Sequence, residues 1–159
     1  MNQPAIHTER CVLEPLDIPT ARALAAGRWD AVPGGPGWPH PDTAVVVSAA
    51  LSLGWPTWLI RCGPADGAVI GECGLKGAPE PGGPVEIGYG LAGPARGHGY
   101  AREAVAALLG WLAEDRQATA VLAEVKLTNT ASRRLVEGLG FTLDEERDGF
   151  AHYRLPLPR

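Results

Sequence analysis

The residues whose types and spacing most plainly suit chemistry are Arg96-Gly97-His98-Gly99-Tyr100-Ala101. Two glycines one residue apart let the backbone approach a ligand closely. The stretch lies between a strand pattern and a helix pattern, so the helix behind it would present free N–H groups and its positive end to an anion such as a phosphate. A dinucleotide fingerprint requires G-x-G-x-x-G, whereas Gly97 and Gly99 are followed by Arg102. The G-K-S/T of a phosphate-binding P-loop is absent. What remains is R/Q-x-x-G-x-G/A, with Arg96 as the cation; the bare alternative is a pair of glycines capping a turn. A second chemical candidate is Glu86, just upstream, whose carboxylate could take a proton from an amine directly or through water, or else serve as a structural or surface glutamate. Glu72 is a further carboxylate of the same kind, and His98 is expected to face solvent.

The elements that must position these residues can be read from periodicity. Val85, Ile87, Tyr89 and Leu91 alternate with Glu86, Gly88 and Gly90, which predicts a half-buried strand with Glu86 on the face opposite the apolar set. Glycines at 88 and 90 inside that strand mark a break in pairing or room for a side chain packing across it. Gly93-Pro94 ends the strand, and Ala101, Val105, Leu108 and Leu112 form one face of a long helix. Upstream, Cys11 to Leu16 predicts a strand, then a helix capped by Asp17 or Thr20 runs to Ala26. A Pro/Gly-rich loop covers Arg28 to Pro41, and a second helix covers Ala44 to Leu53. Thr57 to Cys62 and Ala68 to Leu75 read as a hairpin turning at Gly63 to Gly67, and Lys76 to Pro84 as a second turn region. Downstream come a strand at Ala120 to Lys126 and a helix capped by Asn129 or Thr130. Ala131, Leu135, Val136 and Leu139 form its buried stripe and Gly140 its stop. Phe141 to Asp144 and His152 to Leu157 are the last strands.

With 159 residues, no internal repeat and no long linker, the chain is expected to form one domain over 1–159 around one core. A net charge of −4 argues against a nucleic-acid binder, which would carry a basic patch. No apolar run reaches the roughly 18 residues of a membrane span, and MNQPAIHTER has no apolar leader core. Cys11, Cys62 and Cys73 are far apart, odd in number and without CxxC spacing. They are therefore expected to be buried thiols of a cytoplasmic protein, with neither a disulfide nor a metal site.

The 96–101 motif after an EIGY strand resembles the phosphate loop of the GNAT superfamily of N-acetyltransferases. Asn129-Thr130-Ala131-Ser132, followed by Leu139-Gly140-Phe141, is similar to a segment of the branch that includes the ribosomal-protein N-terminal (alanine/serine) acetyltransferases. The element order β-α-α-β-β-β-α-β-α-β-β also resembles that family, over about residues 9–157. The resemblance implies an α/β (α+β) fold, a mixed, mostly antiparallel sheet of six to seven strands flanked by about four helices. It implies acetyl-CoA as cofactor, bound by Gly90, Leu91, Arg96, Gly97, His98, Gly99, Tyr100, Ala101, Asn129 and Ser132. A backbone amide near Gly88, Gly90 or Leu91 would polarise the thioester carbonyl. Glu86 would be the base and Ser132 the group nearest the coenzyme sulfur, the family's tyrosine being absent between Asn129 and Phe141. The acceptor wall would include Trp29, Trp38 and His40, together with 148–153. The implied reaction is direct acetyl transfer to a primary amine, of a protein or peptide N-terminus or of a small molecule, by a monomer or homodimer. No nucleic acid, membrane or metal takes part. The alternative is a non-catalytic acyl-CoA-binding or regulatory module.

Overall fold

The computed structural model describes residues 3–62, 67–79, 81–115 and 117–158. Its strands are β1 (Ile6–His7), β2 (Cys11–Pro15), β3 (Thr57–Cys62), β4 (Ala68–Leu75), β5 (Pro84–Leu91), β6 (Ala120–Lys126), β7 (Thr142–Arg147) and β8 (Phe150–Pro156). The helices are α1 (Ile18–Ala25), α2 (Thr43–Ser52), α3 (Tyr100–Asp115) and α4 (Thr130–Gly138). One sheet holds all these strands in the order β1-β2-β3-β4-β5-β6-β8-β7. Its neighbours are antiparallel except β5 and β6, the pair that α3 connects.

Each helix end is written in local chemistry. The Asp17 carboxylate accepts the Thr20 N–H at 2.8 Å and starts α1, and Gly27 beyond it has φ +85°. On α4 it is Asn129 that caps, its side-chain oxygen accepting the Ser132 N–H at 3.1 Å. The apolar stripe of α3 (Ala104, Val105, Leu108, Leu109, Leu112) packs on Val85, Ile87 and Leu91 of β5 in the larger core. Leu24 of α1 and Val47 of α2 cover the other sheet face with Leu59, Val69 and Trp38. The sheet is thus a partition with α3 on one side and α1 and α2 on the other.

Several expectations change. Among the described residues there are eight strands, not six to seven: β1 is two residues long, too short for a periodic signal. β7 begins at Thr142 and extends to Arg147, and every residue in it is exposed, so no apolar alternation marks it. The 28–41 loop contains a 3₁₀ turn at Trp29–Ala31, and Gly34 bridges to Val69. Cys11 and Cys62 are joined in a disulfide, contrary to the expectation of three thiols. They are 51 residues apart in the chain, but antiparallel pairing of β2 with β3 sets them directly opposite each other. Cys73 alone is free; burial, with the Glu72 charge beside it, pushes its thiol up. Gly63 to Asp66 of the expected hairpin turn lie outside the described residues.

Candidate active site

The ladder between β5 and β6 runs only from Pro84↔Ala120 to Ile87↔Ala123. Beyond it β5 continues to Leu91 paired with β4, and β6 continues to Lys126 paired with β8. The two strands therefore part at Gly88, and one edge of Gly88–Leu91 is released from the sheet. A cavity of about 540 Å³ opens there, its wall including Gly88, Gly90, Tyr89, Asn129 and Ser132.

On the α1/α2 face of this opening, Glu72 of β4 lies directly across from Gly90. Its carboxylate is 1% exposed and takes three donors from the 38–43 segment. Trp38 Nε1–H donates to Oε2 at 2.7 Å and Thr43 Oγ1–H to Oε2 at 3.0 Å, while His40 Nε2 meets Oε1 at 2.7 Å. A buried carboxylate is tolerable only when satisfied in this way. The His40 ring lies against Gly90, where an added Cβ would stand 3.0 Å from its Cε1. Gly90 is thus glycine because the imidazole occupies the place of its side chain.

Glu86 shares that face but is differently engaged. Its carboxylate is 2.8 Å from Lys76 Nζ, with 32% of the side chain exposed, whereas His40, Glu72 and Lys76 line the cavity. Of the aromatic residues expected at the acceptor wall, Trp38 is held by Glu72. Trp29 packs edge-on against Trp38 at 5.9 Å in the smaller core.

On the α3/α4 face, the Tyr89 hydroxyl meets the Ser132 Oγ in a short hydrogen bond. Burial holds the Tyr89 phenol above its usual range, an effect that the Ser132 contact partly offsets. Tyr153 of β8 fixes α4 in turn, accepting from Arg133 Nε at 3.0 Å and donating to Glu137 at 2.7 Å. A tyrosine thus reaches Ser132 from β5, where the sequence pattern shows only a core-facing strand residue.

The Gly-rich loop leads directly into α3. Gly97 and Gly99 have φ +82° and +80°, a left-handed conformation that other residues rarely adopt, and no atom lies within 4 Å of a Cβ built on Gly97. The first amides of α3 have no preceding helical carbonyls to bond, so loop and helix end form an open cradle of N–H groups. Arg96 Nε donates to the Leu91 carbonyl at 3.3 Å, His98 is exposed, and Tyr100 and Ala101 open the helix. A residue far off in the chain braces this loop: Arg10 donates to the His98 carbonyl at 2.9 Å and to Glu103 at 2.8 Å, and its guanidinium lies 4.6 Å above the Tyr100 ring. Glu103 also accepts from the Thr8 hydroxyl at 2.5 Å and the Arg10 N–H at 2.7 Å. These contacts hold its carboxyl below the usual range, the Thr8 bond most strongly. Nothing in the local spacing of 96–101 announces Arg10.

Among the described residues, no cluster of three His, Cys, Asp or Glu is placed to hold a metal ion, and no helix is long and apolar enough to cross a membrane.

Residues 10–142 match the family model of the acetyltransferase (GNAT) domain. The chain belongs to the GNAT acetyltransferases. An uncharacterized N-acetyltransferase, YjdG of Bacillus subtilis (strain 168), is 24% identical over 161 residues, covering 93% of this chain and 95% of that protein. An acetyltransferase from Agrobacterium tumefaciens str. C58 of known crystal structure is 30% identical, with a TM-score of 0.67 over 98% of this chain and 95% of that one. The same fold occurs in RimL, a ribosomal L7/L12 α-N-protein acetyltransferase solved with coenzyme A. It is 20% identical with a TM-score of 0.69, over 97% of this chain and 98% of that chain. The protein is therefore an acyltransferase of the N-acetyltransferase type.

Proposed function

We propose that this enzyme transfers the acetyl group of acetyl-CoA directly to a primary amine. The observation that carries the reading is the N–H cradle of 97–102 opening beside the point where β5 leaves β6. A pyrophosphate suits the cradle because its backbone donors are free and Gly97 leaves open space. Arg96 adds positive charge nearby. When bound, acetyl-CoA supplies the thioester whose acetyl group is transferred. The released edge of Gly88–Leu91 offers backbone N–H groups to the thioester oxygen, a preorganised donor of the kind that stabilises developing negative charge. Asn129 and Ser132 border the path to the sulfur, and the Tyr89–Ser132 pair holds a proton at that end. On the opposite face the acidic and imidazole groups of the cavity, with Trp38 behind them, receive the amine. The acceptor is a peptide or protein N-terminus or a small-molecule amine, met in the cytoplasm.

A thiol-release assay with a panel of small amines and peptides beginning with Ala or Ser tests this directly. Coenzyme-dependent acetylation of any acceptor is the expected result. Binding of acetyl-CoA without turnover on any amine would make the chain a non-catalytic acyl-CoA module, and no binding would refute the cofactor.

A further inference from the structure

We infer that His40, locked by Glu72, is the group that takes the proton from the acceptor amine. The inference rests on the acetyl-transfer reading above and names a base that neither the family match nor the strand pattern supplies.

The contacts of the ring fix its tautomer. The Asp42 N–H donates to Nδ1 at 3.2 Å, so Nδ1 carries a lone pair. Nε2 then carries the proton and donates it to Glu72 Oε1 at 2.7 Å. A carboxylate on one ring nitrogen and a lone pair on the other is the arrangement in which an imidazole accepts protons and the carboxylate balances the charge that appears. The ring is also in the right place: it packs on Gly90, on the strand edge offered to the thioester, and His40 and Asp42 both line the cavity. The long bond to the Asp42 amide is the one that an incoming ammonium replaces. Of the three donors to Glu72 the imidazole alone meets Oε1, since Trp38 and Thr43 both go to Oε2. The other ionisable groups at the cavity are Asp42, the Cys73 thiol, Lys76, Glu124 and Lys126, with Tyr89 on the far face.

The step balances as follows. The ammonium gives one proton to His40 Nδ1, and the freed nitrogen forms the C–N bond to the carbonyl carbon as the C–S bond breaks. A second amine proton is lost to solvent as the amide forms, and the sulfur takes one proton from the Ser132–Tyr89 pair, which solvent then replaces. His40 passes its proton to solvent, so one proton is released per turnover.

The test is His40→Gln, which keeps an N–H for Glu72 but has no titrating ring, compared with Glu86→Gln on the parent background. At neutral pH, His40→Gln is expected to lower kcat by about 100-fold, a size typical of a lost general base. Acetyl-CoA Kd should stay within about twofold, and the acid limb of the kcat/KM profile should disappear. Glu86→Gln should keep that limb. Activity of His40→Gln within about threefold of the parent, with an unaltered profile, overturns the inference, as does loss of the limb in Glu86→Gln alone. Should His40→Gln fold poorly, His40→Ala with added imidazole replaces it: rescue of turnover supports the assignment, and its failure in folded protein opposes it. A readout free of turnover is ¹⁵N NMR of the His40 ring in the unliganded enzyme. The Nε2–H tautomer is expected, and the Nδ1–H tautomer would refute the scheme. If the parent itself neither binds acetyl-CoA nor acetylates any amine, the proposed function fails instead of this residue assignment.

Discussion

The Tyr89 hydroxyl of β5 reaches the Ser132 hydroxyl of α4 across the gap left where β5 and β6 part. Two elements that share no ladder at that level are thereby joined through their side chains, at the end of the cavity where a thiolate would leave. Tyr89→Phe should lower kcat by roughly 100-fold, the low end of the range for a lost proton donor, with little change in acetyl-CoA affinity. Because burial raises the Tyr89 phenol, the parent should keep this contribution well into alkaline pH. Ser132→Ala should have a similar effect, and the double variant should lose little more than either single one. Additive losses would show that the two hydroxyls act separately.

The α4 cap separates catalysis from stability. The Asn129 side chain bonds the Ser132 backbone N–H, which Ser132→Ala retains. Asn129→Ala should therefore cost about 1 kcal/mol in chemical denaturation, and Ser132→Ala distinctly less.

The two strand glycines should respond differently. An added Cβ at Gly88 meets the flexible end of Lys76 at 3.3 Å, whereas at Gly90 it meets the His40 ring at 3.0 Å and 3.2 Å. Gly88→Ala should be tolerated. Gly90→Ala should cost about 1–2 kcal/mol as an overpacking change and lower turnover more than tenfold by shifting His40 off Glu72. Paired melting curves and rates on the two variants check this.

Arg10 should matter to the coenzyme although it lies outside the motif. Arg10→Ala frees the His98 carbonyl and Glu103 and should weaken acetyl-CoA binding roughly tenfold, about the loss of one charge-assisted contact. Isothermal titration measures it. The partner carboxylate gives a pH signature. The folded-state pKa of Glu103 lies below its unfolded value, so its stabilising contribution is present above about pH 4.5 and is lost as pH falls through the folded value. Between neutral pH and pH 3, the parent should lose more melting temperature than Glu103→Gln.

What the sequence made legible was local: strand β5, the loop glycines, the stripe of α3 and the Asn129 cap all depend on neighbours within a few residues. What it hid was long-range. Glu72 looks like any strand glutamate until the 38–43 segment folds over it. Tyr89 looks like a core residue until α4 arrives with Ser132, and Cys11 meets Cys62 only through strand pairing. β7 was legible only at its start: Phe141 to Asp144 reads as a strand, but its continuation to Arg147 is exposed and largely charged and leaves no alternation to read, while β1 is too short to give one.

The short ladder between β5 and β6 also has a mechanical meaning. Four paired positions join a five-strand plate (β1 to β5) to a three-strand plate (β6, β8, β7). Beyond those rungs β5 is tied instead to α4, through the Tyr89 and Ser132 hydroxyls. A molecule lying along the seam would act as a splint across both plates, so occupancy should stiffen the whole sheet instead of one pocket. Amide exchange should then slow on Gly88–Leu91 and on Glu124–Lys126 together.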